Sequence, residues 1–316
     1  MTTSVAICTY NGEKYIEEQL LSIINQSHTV NEIILCDDGS FDNTLEICNR
    51  IAKEHPIINW NIIKNKHQLG VCDNFAQAFS LCSGDIIFLS DQDDIWRTDK
   101  VEKILNYFEE YTNKNTIFSN ATIINSKGEH NTKYCLFDIV GFTSNIQKQF
   151  DEGWAVELFT YNTLATGATM AFRRELLDNW NVSSKRNNIY GMPLHDIQLV
   201  FKSLEKNALG YINDKLTYYR IHDKQTSGIN YLLEHPAHFN ILWDAYIGKF
   251  ITEDDINLNL LNRMYFLRKR GAIKTHRFGY QIIKNTLNYI RIYGKLWYKA
   301  YYSDLKSSLK ISFYHY

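Results

Sequence analysis

Gly84-Asp85-Ile86-Ile87-Phe88-Leu89-Ser90-Asp91-Gln92-Asp93-Asp94-Ile95-Trp96 is the stretch on which the fold turns. Asp85 to Leu89 reads as a strand, apolar from Ile86 onward, and it ends in a loop with three carboxylates within four residues. An unbroken apolar run predicts a strand covered on both faces, as in a parallel sheet flanked by helices. Carboxylates crowded at the end of a buried strand repel one another. A hard divalent cation such as Mg2+ or Mn2+ would relieve that repulsion, taking one or two carboxylates and completing its shell with water and phosphate oxygens. The plainer alternative is a solvated loop in which Asp94 or Asp99 caps the next helix.

The residues before this stretch repeat the same alternation. Ser4 to Cys8, Glu32 to Cys36 and Trp60 to Lys64 read as strands. Tyr15 to Gln26, Thr44 to His55 and Asn74 to Cys82 carry apolar residues at helical spacing. Strand–helix alternation implies right-handed crossovers and a sheet with helices on both faces, whose ligands sit at the C-terminal strand ends. Three loops therefore matter: Thr9 to Lys14, Asp37 to Asn43, and Ser90 to Trp96. Beyond them, a helix is expected near Val101 to Tyr111 and strands near Thr116 to Asn125. An irregular stretch follows to about Thr163. A strand is expected over Ala168–Phe172, helices over Glu175–Trp180 and Ile197–Lys206, and a strand over Leu216–Ile221.

The second loop, Asp37-Asp38-Gly39-Ser40-Phe41-Asp42-Asn43, places two acids at a strand end. They suit the imide N–H of uracil or thymine and ribose hydroxyls, with Gly39 allowing a tight turn. A turn with an N-cap before the Thr44 helix is the alternative. The first loop, Thr9-Tyr10-Asn11-Gly12-Glu13-Lys14, sets an aromatic ring and backbone N–H groups beside a helix start. That arrangement suits base stacking and phosphate, or a simple Asn-Gly turn.

In this order and spacing, the three loops resemble the inverting family 2 glycosyltransferases of GT-A fold. The pieces that carry the likeness are Ile7–Gly12, Cys36–Ser40, Gly70–Ala76 and Gly84–Asp94, and it extends more weakly to about residue 228. The Asp-Gln-Asp-Asp-Ile-Trp form is most similar to bacterial rhamnosyltransferase-type members, which build surface polysaccharides. The resemblance implies an α/β Rossmann-like mixed sheet flanked by helices, and a metal-dependent hexosyltransferase using Mn2+ or Mg2+. Asp38 then binds the base with Asp37 beside it, and Thr9, Tyr10 and Asn11 belong to the nucleotide site. Asp91 lies near the ribose and sugar, Asp93 binds metal, and Asp94 contacts the donor sugar. Ala165–Phe172 resembles the family's small-residue segment beneath the acceptor. Asp196 takes the place of the catalytic base, although His195 stands where the family carries Glu, and Asp196 capping the following helix is the alternative. Tyr219–Gly228 resembles an Arg-x-His segment, in which Arg220 serves the diphosphate and His222 the diphosphate or the metal.

Composition sets the remaining bounds. Hydrophobic residues make up 45% and charged residues 22% of 316, as in a folded globular protein. The six cysteines lack paired spacing and read as reduced core residues of a cytosolic protein. No signal peptide and no bilayer-spanning run is apparent. Residues 263 to 316 hold 12 Lys+Arg and one acid, so an acidic body carries a basic, aromatic tail. We expect a catalytic domain over 1–230 and a C-terminal helical region over 231–316. In the latter, Gly279–Tyr302 reads as a helix with an apolar face beside a basic stripe. Such a helix suits an anionic membrane surface, which places the protein in the cytoplasm, peripheral on the inner face of the plasma membrane. Packing on the catalytic domain or in a homodimer is the alternative. The expected partners are a dTDP- or UDP-sugar and a glycan or lipid-linked acceptor. Nucleic acid is not expected, because the body is acidic and no zinc or helix-turn-helix motif accompanies the tail. An inactive accessory protein and a sugar-phosphate nucleotidyltransferase are the competing readings, the latter disfavoured because Thr9–Lys14 is not a Gly-rich basic phosphate loop.

Overall fold

A computed structural model of the chain describes residues 1–155, 158–159, 164–184 and 194–222, the side chain of Thr132 apart. All of these belong to one compact unit. The helical region expected over 231–316, Pro193, and residues 223–228 of the last motif lie outside the described residues.

The elements in chain order are β1 (Thr3–Thr9), α1 (Ile16–Ile24), β2 (Glu32–Asp37), α2 (Thr44–Glu54), β3 (Asn59–Lys64), α3 (Val71–Leu81), β4 (Ile86–Ser90), β5 (Ile95–Trp96) and α4 (Lys100–Glu110). They continue as β6 (Thr116–Ile124), β7 (His130–Cys135), α5 (Leu136–Val140), α6 (Ser144–Gln149), β8 (Met170–Arg173), α7 (His195–Leu204) and β9 (Leu209–Arg220). They build a nine-stranded sheet ordered β3-β2-β1-β4-β8-β6-β9-β5, with β7 pairing with β6. Strands β3, β2, β1 and β4 are parallel, and β8 then enters antiparallel to both β4 and β6. The sheet is thus mixed, as the resemblance implies.

Apolar periodicity explains the first half. Every residue of β2 and β4 is buried: the apolar runs Ile33–Cys36 and Ile86–Leu89 fill the core, and the polar ends Glu32, Asp37 and Ser90 are buried with them. Helix α1 sends Ile16, Leu20 and Ile23 into the same core as Val5, Ile7, Ile33, Leu35, Ile86 and Phe88. The register then sets the loops side by side, since Thr9 is opposite Asp37 across β1–β2 and Ile7 is opposite Ser90 across β1–β4.

Four expectations for the later half are corrected. Ser90 to Trp96 is not loop throughout, because Ile95 and Trp96 form β5 and pair antiparallel with Tyr218 and Thr217. The stretch after Asn125 is not irregular throughout, because it contains β7, α5 and α6. Glu175–Trp180 is not a helix, and only a single 3-10 turn forms over Arg174–Leu177. Strand β9 begins seven residues earlier than Leu216, and two register shifts between Ser119 and Ala121 absorb its extra residues. Under β6 and β9, Phe118 packs on Phe137, Phe142, Phe150, Phe159 and Tyr211 in a second aromatic cluster.

Candidate active site

The three loops are laced together by their own polar groups. Tyr10 N–H donates to Oε1 of Gln92 at 2.8 Å, and Nε2 of Gln92 donates to the Tyr10 carbonyl at 3.1 Å. Asn11 adopts a left-handed φ of 50°. Its N–H donates to Ser40 Oγ, while its Oδ1 accepts from Phe41 N–H. Asp37 is fully buried, accepting from Ser40 N–H at 2.8 Å, from Ser40 Oγ at 2.5 Å and from Thr9 Oγ1 at 2.8 Å. Asp37 and Thr9 therefore serve as a buttress under the loop. Gly39 takes the tight turn at φ 91°, a region costly for other residues. Asp38, also buried, accepts from the N–H groups of Leu69 and Gly70 ahead of α3 and from Asn65. Tyr10 keeps an exposed ring, edge-on to an exposed Phe41 at 6.4 Å.

The acidic loop is held from β9. Arg220 is buried; its N–H donates to Asp94 Oδ1 at 2.9 Å and its Nε to the Asp93 carbonyl at 2.7 Å. One terminal nitrogen pairs with Glu18 at 2.5 Å, and the guanidinium covers the Tyr15 ring at 4.5 Å. These partners make Arg220 the post to which the loop is tied. His222 places Nε2 2.8 Å from Asp93 Oδ2 and leans on the Tyr15 ring. The capping alternative is not what forms: Asp94 points to Arg220, and Asp99 makes no side-chain cap at α4. Burial, reinforced by the charges of Asp93 and Asp196, raises the Asp91 carboxyl to about 7. Burial and the same crowding, from Asp93 and Asp91, push Asp94 well above the usual carboxylate range, and its Oδ2 has no hydrogen-bond partner among the described residues. Beneath them Lys100 is fully buried, and burial lowers its ammonium to about 7 against the opposing pull of Asp94 and Asp91.

Asp196 completes the group. It lies in the first turn of α7 rather than at its N-cap, which is Leu194. Its Oδ2 accepts from Gly167 N–H at 3.2 Å and its Oδ1 from Ile197 N–H at 2.8 Å. His195 is buried beside it, stacked on Phe75 at 4.0 Å, with neither ring nitrogen hydrogen-bonded among the described residues. Burial lowers its pKa below the ordinary imidazole value, against the opposing pull of Asp196. The sequence motifs thus bring Asp91, Asp93, Asp94, Asp196, Arg220 and His222 to one end of the sheet. Gln92 stands inside the acidic motif with no role assigned from the sequence, and Glu18 and Lys100 lie outside the motifs. A cleft of about 1370 Å³ opens between the first loop and the β6–β7 hairpin, lined by Tyr10, Lys14, Gln92, Asn125, His130 and His222 among others. Among the described residues, no three His, Cys, Asp or Glu side chains are arranged as a complete metal site. None of their helices is long and apolar enough to cross a membrane.

A mixed sheet whose parallel half delivers acidic loops to one edge, followed by a half of mixed strand direction in which β9 brings an Arg-x-His pair and α7 an Asp to the same edge, is the GT-A architecture. The model of Glycosyl transferase family 2 matches residues 4–180, and the chain belongs to that family. It is 32% identical over 231 residues to the dTDP-rhamnosyl transferase RfbG of Shigella flexneri, covering 71% of this chain and 74% of that one. Among solved structures, residues 1–349 of S. aureus TarS superpose with a TM-score of 0.58 at 16% identity, covering 100% of this chain and 93% of that chain. The same TarS region in complex with UDP-GlcNAc gives 0.54. A mannosyltransferase from Pyrobaculum calidifontis in complex with GDP-Man and Mn2+ gives 0.51 at 13% identity, covering 99% and 88% of the two chains.

Proposed function

We propose that this glycosyltransferase moves a hexose with inversion onto a polysaccharide or lipid-linked oligosaccharide in bacterial surface glycan synthesis. The donor is dTDP-L-rhamnose in the first instance, otherwise a UDP-hexose. The observation that carries the reading is the Asp93–His222 pair at 2.8 Å, set in one acidic group with Asp91, Asp94 and Asp196. The rhamnose assignment is supported by the named activity of RfbG and the length of that match.

The residues fit a divalent ion. Asp93 and His222 offer one carboxylate and one imidazole, and Mn2+ or Mg2+ takes few protein ligands when diphosphate oxygens and water supply the rest. The Mn2+ in the complex of the Pyrobaculum enzyme supports the same choice. When bound, the ion supplies Lewis-acid neutralisation of the diphosphate leaving group. Arg220 holds the loop so that Asp93 and Asp94 keep their aim. Asp38 and Tyr10 serve the base, and Asn11 fixes the loop that presents it. Asp196 accepts the proton of the attacking acceptor hydroxyl. Its two backbone N–H bonds stabilise the carboxylate and fix its direction. Attack from the face opposite the diphosphate inverts the anomeric carbon without a covalent enzyme intermediate. The basic, aromatic sequence of residues 263–316 supports a place on the anionic inner face of the plasma membrane.

Calorimetry tests the reading: UDP against dTDP, with and without Mn2+, on wild type and Asp93→Asn. Metal-dependent binding that the substitution abolishes is expected, with dTDP preferred. Absence of binding by either nucleotide would overturn it.

A further inference from the structure

Lys14 lies in the first loop, on the wall of the cleft. The loop runs from the exposed Tyr10 ring to the buried Tyr15 ring, and Lys14 stands between them. Its Nζ is 4.7 Å from the centroid of Tyr15. The same ring carries the Arg220 guanidinium at 4.5 Å and the His222 imidazole at 5.1 Å, and its hydroxyl donates to the Ser126 carbonyl at 3.4 Å. Of the two cations on this ring, Arg220 is buried and bonded to Asp93, Asp94 and Glu18, whereas Lys14 is exposed. Among the described residues that line the cleft, Lys14 is the one lysine or arginine. The acids on the same walls are occupied: Glu13 accepts from N–H and Nδ2 of Asn43, Asp42 from Thr44 and from Glu13 N–H, and Glu129 from Nδ2 of Asn125. Among the described residues no carboxylate pairs with the Lys14 ammonium, whose contact is the Tyr15 ring. An exposed cation–π contact is worth about 0.5–1 kcal/mol and leaves N–H donors free for an anion.

We propose that Lys14 binds the diphosphate of the nucleotide donor. This rests on the donor reading above, in which Tyr10 serves the base and Asp93 with His222 serves the ion. The diphosphate joins those two points. Lys14 stands in the loop that carries Tyr10 at one end and, through the Tyr15 ring, backs His222 at the other. A lysine is a flexible point charge that meets phosphate oxygens without a fixed geometry. It brings positive charge to the open side of the cleft, while Arg220 lies on the buried side. A lysine that was merely solvated would leave nucleotide affinity untouched.

The test uses the full chain, with calorimetry for dTDP and ligand-observed NMR for thymidine, or UDP and uridine if that base is preferred. Lys14→Met keeps the stem and removes the charge at an exposed position that the core does not use. Affinity for dTDP is expected to fall roughly 10-fold, the effect of one charge-assisted contact to phosphate, both with Mn2+ and in EDTA. Thymidine has no phosphate and should bind wild type and variant alike. Lys14→Arg should keep most of the dTDP affinity. The fall of dTDP affinity with added KCl should be shallower in Lys14→Met, because a screened charge pair has been removed. An unchanged dTDP affinity, or an equal loss for dTDP and thymidine, would overturn the proposal. A wild type that binds neither nucleotide would count against the donor reading instead. Pyrophosphate alone then decides for Lys14: Lys14→Met should weaken its binding, and equal or absent binding to both proteins overturns the assignment.

Discussion

Nε2 of His222 stands 2.8 Å from Oδ2 of Asp93, although 129 residues separate them in the chain. The contact joins the end of the parallel half-sheet to the end of β9, and the Tyr15 ring backs the imidazole. Two potential metal ligands are thereby preset at one point. His222→Ala is expected to weaken Mn2+-dependent nucleotide binding by about 10- to 100-fold, in the range found for groups that tune a metal site. In EDTA the variant and wild type should bind alike. Calorimetry in both conditions checks this, and an equal loss with and without metal would remove His222 from the metal site.

Asp196 faces Asp91 closely enough that their charges repel, yet two backbone N–H groups hold it. Asp196→Asn keeps the shape and removes the proton acceptor. Loss of a general base costs about 10²- to 10⁴-fold, or roughly 3–5 kcal/mol of transition-state stabilisation. We expect kcat to fall by that factor while nucleotide affinity stays within about threefold. Near-normal transfer would sink the base assignment.

Gly167 is required by its neighbours rather than by its backbone angles. A Cβ there would lie 3.2 Å from His195 Nε2, 3.4 Å from Asp196 Cβ and 3.5 Å from Asp196 Oδ2. The buried imidazole is stacked on Phe75 and cannot retreat freely, so the strain passes to Asp196. Overpacking of this kind costs about 1–3 kcal/mol. Gly167→Ala should lower kcat by an order of magnitude or more, with a smaller effect on donor KM, because a misplaced base spoils attack geometry before it spoils binding. Steady-state kinetics separates the two.

The parallel half of the fold was legible because its strands are buried on both faces and its helices are amphipathic; both leave a period in the sequence. The acids were legible because three crowd into one loop. The rest depended on contacts that have no local period. The two-residue β5 exists only because β9 pairs with it, and β9 extends past its apolar end through exposed Asn213, Asp214 and Lys215. Arg220, which the resemblance assigns to the diphosphate, is also buried and bonded to Asp93, Asp94 and Glu18, contacts that no local pattern records. Lys100 was invisible in the sequence, where a lysine at a helix start reads as a solvated residue.

The N-terminal end of the sheet offers a test of stability apart from the chemistry. Glu32 is buried at the start of β2 and accepts from Ser4 Oγ, from Ser83 N–H and Oγ, and from Gly84 N–H. Burial pushes its carboxyl up, and these donors outweigh burial, leaving it below its ordinary value of 4.5. Above that value the ionised side chain is held by charge-assisted bonds, each stronger than a neutral one. Below it the unfolded chain takes up a proton that the folded chain resists, so acid favours unfolding. Glu32→Gln keeps one acceptor oxygen and turns an amide toward groups that themselves donate. The expected loss is about 2–3 kcal/mol near neutrality. Measured by denaturant unfolding, the gap between wild type and variant should hold steady down to about pH 5 and then narrow as pH falls through the folded-state pKa. A gap that is constant to about pH 3 would mean the stabilisation comes from shape and not from the carboxylate charge.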